Sequence, residues 1–392
     1  MITLAGLVAA VALAPLFWLC VPAAWRREVV SVGSLVALAA YDARLPVLLI
    51  AVGFGVSASV RVAGALGQRA RALFVAFCLL ALVALFVWNK SAGGGYIALP
   101  TQSGLVFVGV SFLVLKAAAV LIEAGRGNVS PSSGRAILAW LAFLPTYPSG
   151  PIEDLDHFSA QWPRFDHRRL FRGLERILFG LVKSLVLANV LGEWLDPILA
   201  APEAFGSFRL FLGFYAVALR FYFDLAGASD IAIGLGALFG YEIEENFDRP
   251  FARRNLVQLW QHWHMTLTRW FRTYVFTPVS RALMRRGSGR FDRLAIAAGQ
   301  LVTMTLIGVW HNLTWNFFVF GLLQGVGFIW VGLLARDAGR FLPASMVRWW
   351  RRTRPGYVVS TALTLSFFSI SCIFSAADMS HALRYLRATF RP

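Results

Sequence analysis

A chain of 392 residues, 58% of them hydrophobic and only 15% charged, with a mean hydropathy of +0.64, is too apolar for a soluble globular fold, where about 45–50% apolar and 25% charged residues are usual. The formal net charge of +17, from 37 Lys and Arg against 20 Asp and Glu, would point to nucleic acid in a soluble protein. Here the basic residues gather in loops between apolar runs, where membrane topology and anionic headgroups account for them without a nucleic-acid partner.

Apolar stretches recur at Leu4–Cys20, Leu45–Val60, Leu73–Val87, Leu105–Ile122, Leu178–Leu191, Leu210–Leu219, Leu294–Val309, Phe317–Leu334 and Val358–Phe374. Several approach the roughly 20 residues that a helix needs to cross a bilayer. The pattern predicts an all-α polytopic membrane protein with about eleven membrane helices, short and paired segments included. The first run has no basic leader, and Arg26 and Arg27 follow it, so it reads as a span with the amino terminus outside and the arginines in the cytoplasm. Cys20, Cys78 and Cys372 lie far apart in apolar sequence and form neither a metal-ligand spacing nor a disulfide framework.

In chain order, residues 1 to 90 read as plain helical hairpins, and "SAGGGY" (Ser91–Tyr96) as an extracellular turn. "FLPTYPSGPIEDL" (Phe143–Leu155) has three prolines and a glycine and cannot be a regular span. It is either an interfacial loop or a broken backbone that lines a cavity or is buried in protein. In "YFDLAGASDIAIG" (Tyr222–Gly234), Asp224 and Asp230 sit among small residues, including Gly227, that permit close helix packing. Pairing with Arg220 or Arg254 would account for these carboxylates as well as a functional role would. "GLGALFG" is not a dinucleotide fingerprint, because no strand precedes it.

Most of the unusual chemistry falls between residues 250 and 325. "NLVQLWQHWHMTLTRWFRTYVFTPV" (Asn255–Val279) is too polar for a simple span and too aromatic for a simple loop. On a helix, Trp260, Trp263, His264, Leu267, Trp270, Phe271 and Tyr274 share one face, and Arg254, Arg269 and Arg272 fall elsewhere. The spacing predicts one amphipathic helix, interfacial or re-entrant, closed by Pro278. "GVWHNLTWNFFVFGLLQG" (Gly308–Gly325) places His311 in strongly apolar sequence. A buried imidazole there is either a core histidine bonded to a carbonyl or a functional group facing a cavity. His264 has the same alternatives, the structural one being an aromatic-belt residue. The stretches Arg249–Arg293, with ten arginines, and Arg336–Arg354, with six, are expected in the cytoplasm, where a basic face also suits an anionic donor such as a coenzyme A thioester.

The succession of "VGVSFLVLKAAAVLIEAGRG", "FLPTYPSGPIE", "YFDLAGASDIAIGLGALFGYEIEENFDRPF", "LWQHWHMTLTRWFRTYVFTPV" and "GVWHNLTWNFFVFGLLQG" resembles the bacterial branch of the membrane-bound O-acyltransferase (MBOAT) superfamily. The match runs from about Val108 to Gly325, with a weaker echo in "IFSAADMSHAL". The resemblance implies a ring of tilted helices around a central tunnel. It also implies one integral domain over 1–392: N-terminal hairpins (1–90), a catalytic core (100–325) and C-terminal helices (326–392). The family's essential histidine falls on His311 and its second on His264. The former would act as a general base toward an acceptor hydroxyl, polarise the thioester carbonyl, or hold the acyl group in transit. Trp310, Asn312, Trp315, Trp263, Asp230, Ser229 and Asn246 are the implied substrate-binding positions, with no metal.

"DLAGASDIAIG" is similar to alginate and exopolysaccharide O-acetyltransferases, and "PSGPIEDL" to the D-alanyl transfer proteins of teichoic acid. Ser229 and Asp230 favour the acetyl branch. Asn312 and Leu313 stand where the family has Gly-Ala, and Thr273 where it has an Asp after the arginine. Asn312, with the bulky tryptophans, suggests a narrow passage beside His311, and Thr273 means that a familiar interfacial carboxylate is missing. The expected activity is transfer of a short acyl group, acetyl, from a cytoplasmic acetyl-coenzyme A thioester to a cell-envelope polysaccharide or a periplasmic partner enzyme. The expected setting is the bacterial inner membrane, with membrane lipid around it and no tightly bound cofactor. D-alanyl transfer from a carrier protein is the alternative within the class. A transporter or flippase is the alternative outside it, and internal repeats, which would favour transport, are not visible.

Overall fold

The computed structural model describes residues 4–92, 107–129, 134–287 and 292–391, so most of the expected turn at Ser91–Tyr96 lies outside the described residues. Of the described residues 83% are helical, and none lies in a strand. In chain order the helices are α1 (Leu4–Cys20), α2 (Arg26–Tyr41), α3 (Arg44–Ala65), α4 (Gln68–Ser91), α5 (Val110–Arg126), α6 (Gly134–Leu141), α7 (Leu155–Ala160), α8 (His167–Leu181) and α9 (Ala188–Ala200). They continue with α10 (Ser207–Leu238), α11 (Leu256–His262), α12 (Met265–Phe271), α13 (Thr277–Gly287), α14 (Asp292–His311), α15 (Trp315–Phe341), α16 (Ala344–Arg352), α17 (Arg354–Ala376) and α18 (Met379–Thr389).

Among the described residues, six helices are long and apolar enough to cross a membrane: α3, α4, α10, α14, residues 315–334 of α15, and α17. The protein is an all-α, multi-pass membrane protein. The sequence expectation of about eleven counted short and paired runs; the structure divides several of them. The run at Leu178–Leu191 winds from α8 through a π turn (Val182–Leu187) into α9, and α1 is a shorter apolar helix.

The chain forms two compact units. The first comprises residues 1–181 and 227–245. In it α4 packs on α5, and α3 packs on α5 and α6. The proline-broken segment 143–153 is almost wholly buried here, so the reading as irregular backbone covered by protein holds over the interfacial loop. Its polar groups are met from neighbouring elements: Lys116 Nζ donates to Thr146 Oγ1 (2.8 Å), the Leu144 N–H to Ser34 Oγ (3.2 Å), and Tyr147 Oη to the Val108 carbonyl (2.8 Å).

The second unit comprises residues 182–226 and 246–392. Its centre is the hairpin of α14 and α15, with α17 packed on α15. The two hairpin helices meet through glycine: a Cβ on Gly308 would sit 2.3 Å from the Phe317 carbonyl oxygen, and one on Gly321 would sit 2.5 Å from that of Met304. Backbones this close gain dispersion contacts along the whole interface, which is how helices associate where apolar burial offers no drive. Gly308→Ala is therefore expected to lower thermal stability in detergent by about 1–3 kcal/mol through overpacking. Gly339→Ala in α15, where a Cβ meets nothing within 4 Å, is expected to leave it unchanged. Equal melting midpoints for the two variants would refute the glycine contact.

Candidate functional site

The segment around His264 is not one helix. α11 ends at His262, α12 starts at Met265, and His264 between them takes the left-handed conformation (φ 43°, ψ 54°). Arg249 and His264 are the two non-glycine residues with positive φ among the described residues. Such backbone costs about 1–3 kcal/mol and persists where the surroundings over-determine it. The predicted closure at Pro278 is also corrected. α12 passes through a π turn (Arg272–Phe276) into α13, which continues to Gly287. The Thr277 N–H and Oγ1 both bond the Arg272 carbonyl, a wider turn that makes room for the proline ring within a helical run.

The break at His264 is fixed by Asn246. The Asn246 carbonyl accepts the Met265 N–H (2.8 Å), and the Asp248 N–H donates to the His262 carbonyl (3.0 Å), tying 246–248 to 262–265. The Asn246 side-chain oxygen, Oδ1, accepts from the Thr266 N–H (3.3 Å) and from Thr266 Oγ1 (2.9 Å), and lies 3.1 Å from His264 Nδ1. A backbone N–H can only donate, so the Asn246 atom facing it is the carbonyl oxygen. That oxygen can only accept, so His264 Nδ1 carries the proton and Nε2 is the acceptor nitrogen of the ring. His264 is 2% exposed and lies outside the six candidate spans. Burial pushes its pKa from the ordinary 6.5 down to about 4, so the imidazole is neutral near pH 7.

Aromatic rings enclose this site. Phe247 lies 6.2 Å from the His264 ring and 5.3 Å from Trp263, and Trp263 meets Phe251 (5.8 Å) and Phe368 of α17 (5.0 Å). Trp260 donates from Nε1 to Gln324 of α15 (2.9 Å), and Gln324 in turn donates to Ser371 of α17. Thr266, Phe247, Phe251, Phe368 and Gln324 were not singled out from the sequence. All but Phe368 lie inside quoted segments, but nothing local marks them as supports of the histidine.

His311 is the last residue of α14 and is half-buried, its ring edge-on to Trp310 (4.9 Å) and tilted against Phe317 (6.2 Å). Asn312 turns the chain toward α15, its Oδ1 accepting the Leu313 N–H (3.0 Å). Trp315, one of the implied substrate-binding positions, is 75% exposed and makes its ring contact with Phe318, and Phe317 is the α15 ring beside His311. Asn246, Trp263 and His264 are thus brought together, as are Trp310 and His311. Ser229 and Asp230 belong to the other compact unit. There Asp230 pairs with Arg176 Nε (2.6 Å), not with Arg220, which pairs with Asp196, nor with Arg254, which donates to backbone carbonyls of α16. Among the described residues, no group of three or more His, Cys, Asp or Glu side chains is placed to hold a metal ion.

The family model for membrane-bound O-acyltransferases, MBOAT, matches residues 67–377. The chain belongs to this family. It is 31% identical to a teichoic acid D-alanyltransferase of Streptococcus thermophilus over 239 residues, 58% of this chain and 57% of that protein. It is 28% identical to a probable alginate O-acetylase of Azotobacter vinelandii over 229 residues, 56% of this chain and 43% of that protein. Similarity extends to a peptidoglycan O-acetyltransferase of Helicobacter pylori, at 24% over 257 residues, 63% of this chain and 45% of that protein. The chain spans about half the length of the relatives it matches.

The lowered pKa of His264 sets a stability trend. Between about pH 6.5 and pH 4 the unfolded chain binds a proton at this ring that the folded chain does not, so stability is full above 6.5 and falls as pH drops through that window. His264→Asn keeps a residue tolerant of positive φ and removes the titration. Its melting midpoint in detergent is expected to depend less on pH between 6.5 and 4 than the wild type's. Parallel curves would show that burial of His264 does not govern the trend.

Proposed function

We propose that this protein is an O-acyltransferase of the bacterial inner membrane that moves an acetyl group from cytoplasmic acetyl-coenzyme A to a hydroxyl of a cell-envelope polysaccharide or of a periplasmic partner enzyme. The observation that carries the reading is the neutral, fully buried imidazole of His264, its tautomer fixed by Asn246 in an aromatic enclosure, in a chain of an acyl-transferring family. The polymers named for the relatives, alginate, peptidoglycan and teichoic acid, support a polysaccharide or related envelope polymer as acceptor.

In this reading His311, half-buried and reachable, is the general base. It takes the proton of the acceptor hydroxyl as that oxygen attacks the thioester carbonyl. The carbon–sulfur bond then breaks, the thiolate leaves with the proton returned by the imidazolium, and the ester remains. A positioned base contributes about 10²–10⁴-fold. His264, with a pKa of about 4, is too weak a base for that step near pH 7. It serves better as a fixed acceptor, Nε2 holding the hydroxyl in line for attack. Trp263, Trp310 and Asn312 restrict the space around the acyl group. Asp230, held by Arg176, and Ser229 beside it support the fold of their own unit in this scheme.

His311→Ala is expected to reduce transfer at least about 100-fold with membrane insertion intact; a parallel loss of expression and activity would make His311 a packing residue. The relative at 31% identity favours D-alanyl transfer as a second reading. Proteoliposomes supplied with labelled acetyl-coenzyme A or with a D-alanyl-loaded carrier protein separate the two readings. Acetyl label on the polymer supports the first, and D-alanyl label alone supports the second.

The donor side follows from the basic stretches. In a background with Cys20, Cys78 and Cys372 replaced, single cysteines at Arg285 and Arg352 are expected to resist an impermeant thiol reagent applied to intact cells. Labelling from outside would reverse the topology and the proposed side of donor entry.

A further inference from the structure

The first compact unit contains a cavity of about 790 Å³ that the proposed chemistry does not use. Helices α1 and α2 form its long walls, the buried segment around Leu144–Pro148 closes one side, and Leu235 and Phe239 close another. The room comes from small residues along the two helices: Gly6, Ala9, Ala10, Gly33, Ala37 and Ala40. At Gly33 an added Cβ would meet nothing within 4 Å.

Three hydroxyl-bearing side chains line it: Tyr41 is 47% exposed, and the two buried deeper, Ser34 and Tyr147, are already engaged within the fold. Ser34 Oγ accepts the Leu144 N–H, and Tyr147 Oη donates to the Val108 carbonyl. A cavity whose buried polar groups are so engaged gives water few of the two to four partners it needs, and favours an occupant that asks mainly for dispersion contacts. From Val29 to Tyr41 the α2 wall runs about 18 Å at the α-helical rise, close to half of a bilayer hydrocarbon core of about 30 Å. The volume falls in the range of about 300–1,000 Å³ typical of small-molecule sites. The Val21 end carries a positive charge: Arg26 donates from Nε to the Val21 carbonyl (3.3 Å), its guanidinium lying over Trp18.

We propose that this cavity is a binding site for one acyl chain of a membrane phospholipid, the chain lying between α1 and α2 and the phosphate at the Arg26 end. Hydrocarbon fills the apolar length, and the guanidinium matches the headgroup phosphate in charge. The site is separate from the histidine machinery in its residues, and the inference does not depend on the acyl-transfer reading.

The test reconstitutes the full chain in nanodiscs of phosphatidylcholine and phosphatidylglycerol containing a trace of phosphatidylcholine with a diazirine at the tail end. After photolysis, labelled peptides are mapped by mass spectrometry. Label is expected on cavity residues such as Leu13, Ala37 and Leu144. Gly33→Phe places a ring in the open space and improves helix propensity over glycine. It is expected to cut cavity labelling at least tenfold, and the smaller Gly33→Leu to cut it by less. Gly55→Phe, at an equally open glycine outside the cavity, is expected to leave cavity labelling unchanged.

Label confined to outward residues such as Leu73 and Phe77, with cavity peptides unlabelled, would overturn the proposal. So would cavity labelling indifferent to Gly33→Phe in a variant that melts like the wild type. Cavity label displaced by a polyprenyl phosphate but not by excess unlabelled phosphatidylcholine would also overturn it, assigning the site to another lipid.

Discussion

One oxygen atom, Asn246 Oδ1, organises the histidine site. It takes two donors from Thr266 and one from His264, and its own backbone carbonyl takes the Met265 N–H. Four groups that a continuous helix would have arranged otherwise are satisfied from outside the helix, and that makes the break at His264 affordable. An unpaired buried polar group costs about 1–3 kcal/mol, comparable to the strain of the left-handed backbone. The tautomer of the ring is a consequence of the same oxygen. Asn246 therefore fixes both the backbone break and the protonation pattern of the His264 ring.

The first unit solves a related problem with different parts. Its proline-broken segment is buried with a few turn bonds of its own, such as those from the Thr146 and Tyr147 N–H groups to the Phe143 carbonyl, and Lys116 and Ser34 reach across to meet further polar groups, while Tyr147 reaches out to Val108. Irregular backbone survives in these surroundings only where protein meets its polar groups. In both units the irregular stretch is held by side chains distant in sequence: Lys116 is 30 residues from Thr146, and Asn246 is 18 from His264.

This separation explains what the sequence could tell. The helical class and membrane residence are written in composition, and the Trp-His segments stand out because histidine is rare in apolar surroundings. The apolar spacing over 255–279 also named the buried face well: Trp260, Trp263, His264, Leu267 and Phe271 are all buried. Yet the same spacing predicted one helix where two short ones stand, because side-chain periodicity persists across a single left-handed residue. Nothing within a few positions of His264 announces that residue; its cause is Asn246. The partner of Asp230 was missed for the same reason, since Arg176 is 54 residues away on another helix. Trp315, a substrate-binding position implied by the resemblance, is 75% exposed, and it is Phe317, two residues on, that lies against the His311 ring.

The glycine-lined hairpin of α14 and α15 bears on biogenesis. Its contacts join residues close in the chain, with only Asn312–Thr314 between the helices, so loop closure is cheap and local pairing is quick. Two adjacent spans that interlock through their own backbones can leave the insertion machinery as a finished pair, before the C-terminal helices have been synthesised. His311 sits at the tip of that pair, so its backbone setting is defined largely by contacts between helices adjacent in the chain. The His264 site matures on a different schedule: Phe368 of α17 is part of its enclosure, and that helix is made more than forty residues after the hairpin tip. A ribosome stalled between the two would display the hairpin closed and the His264 enclosure still waiting for a wall.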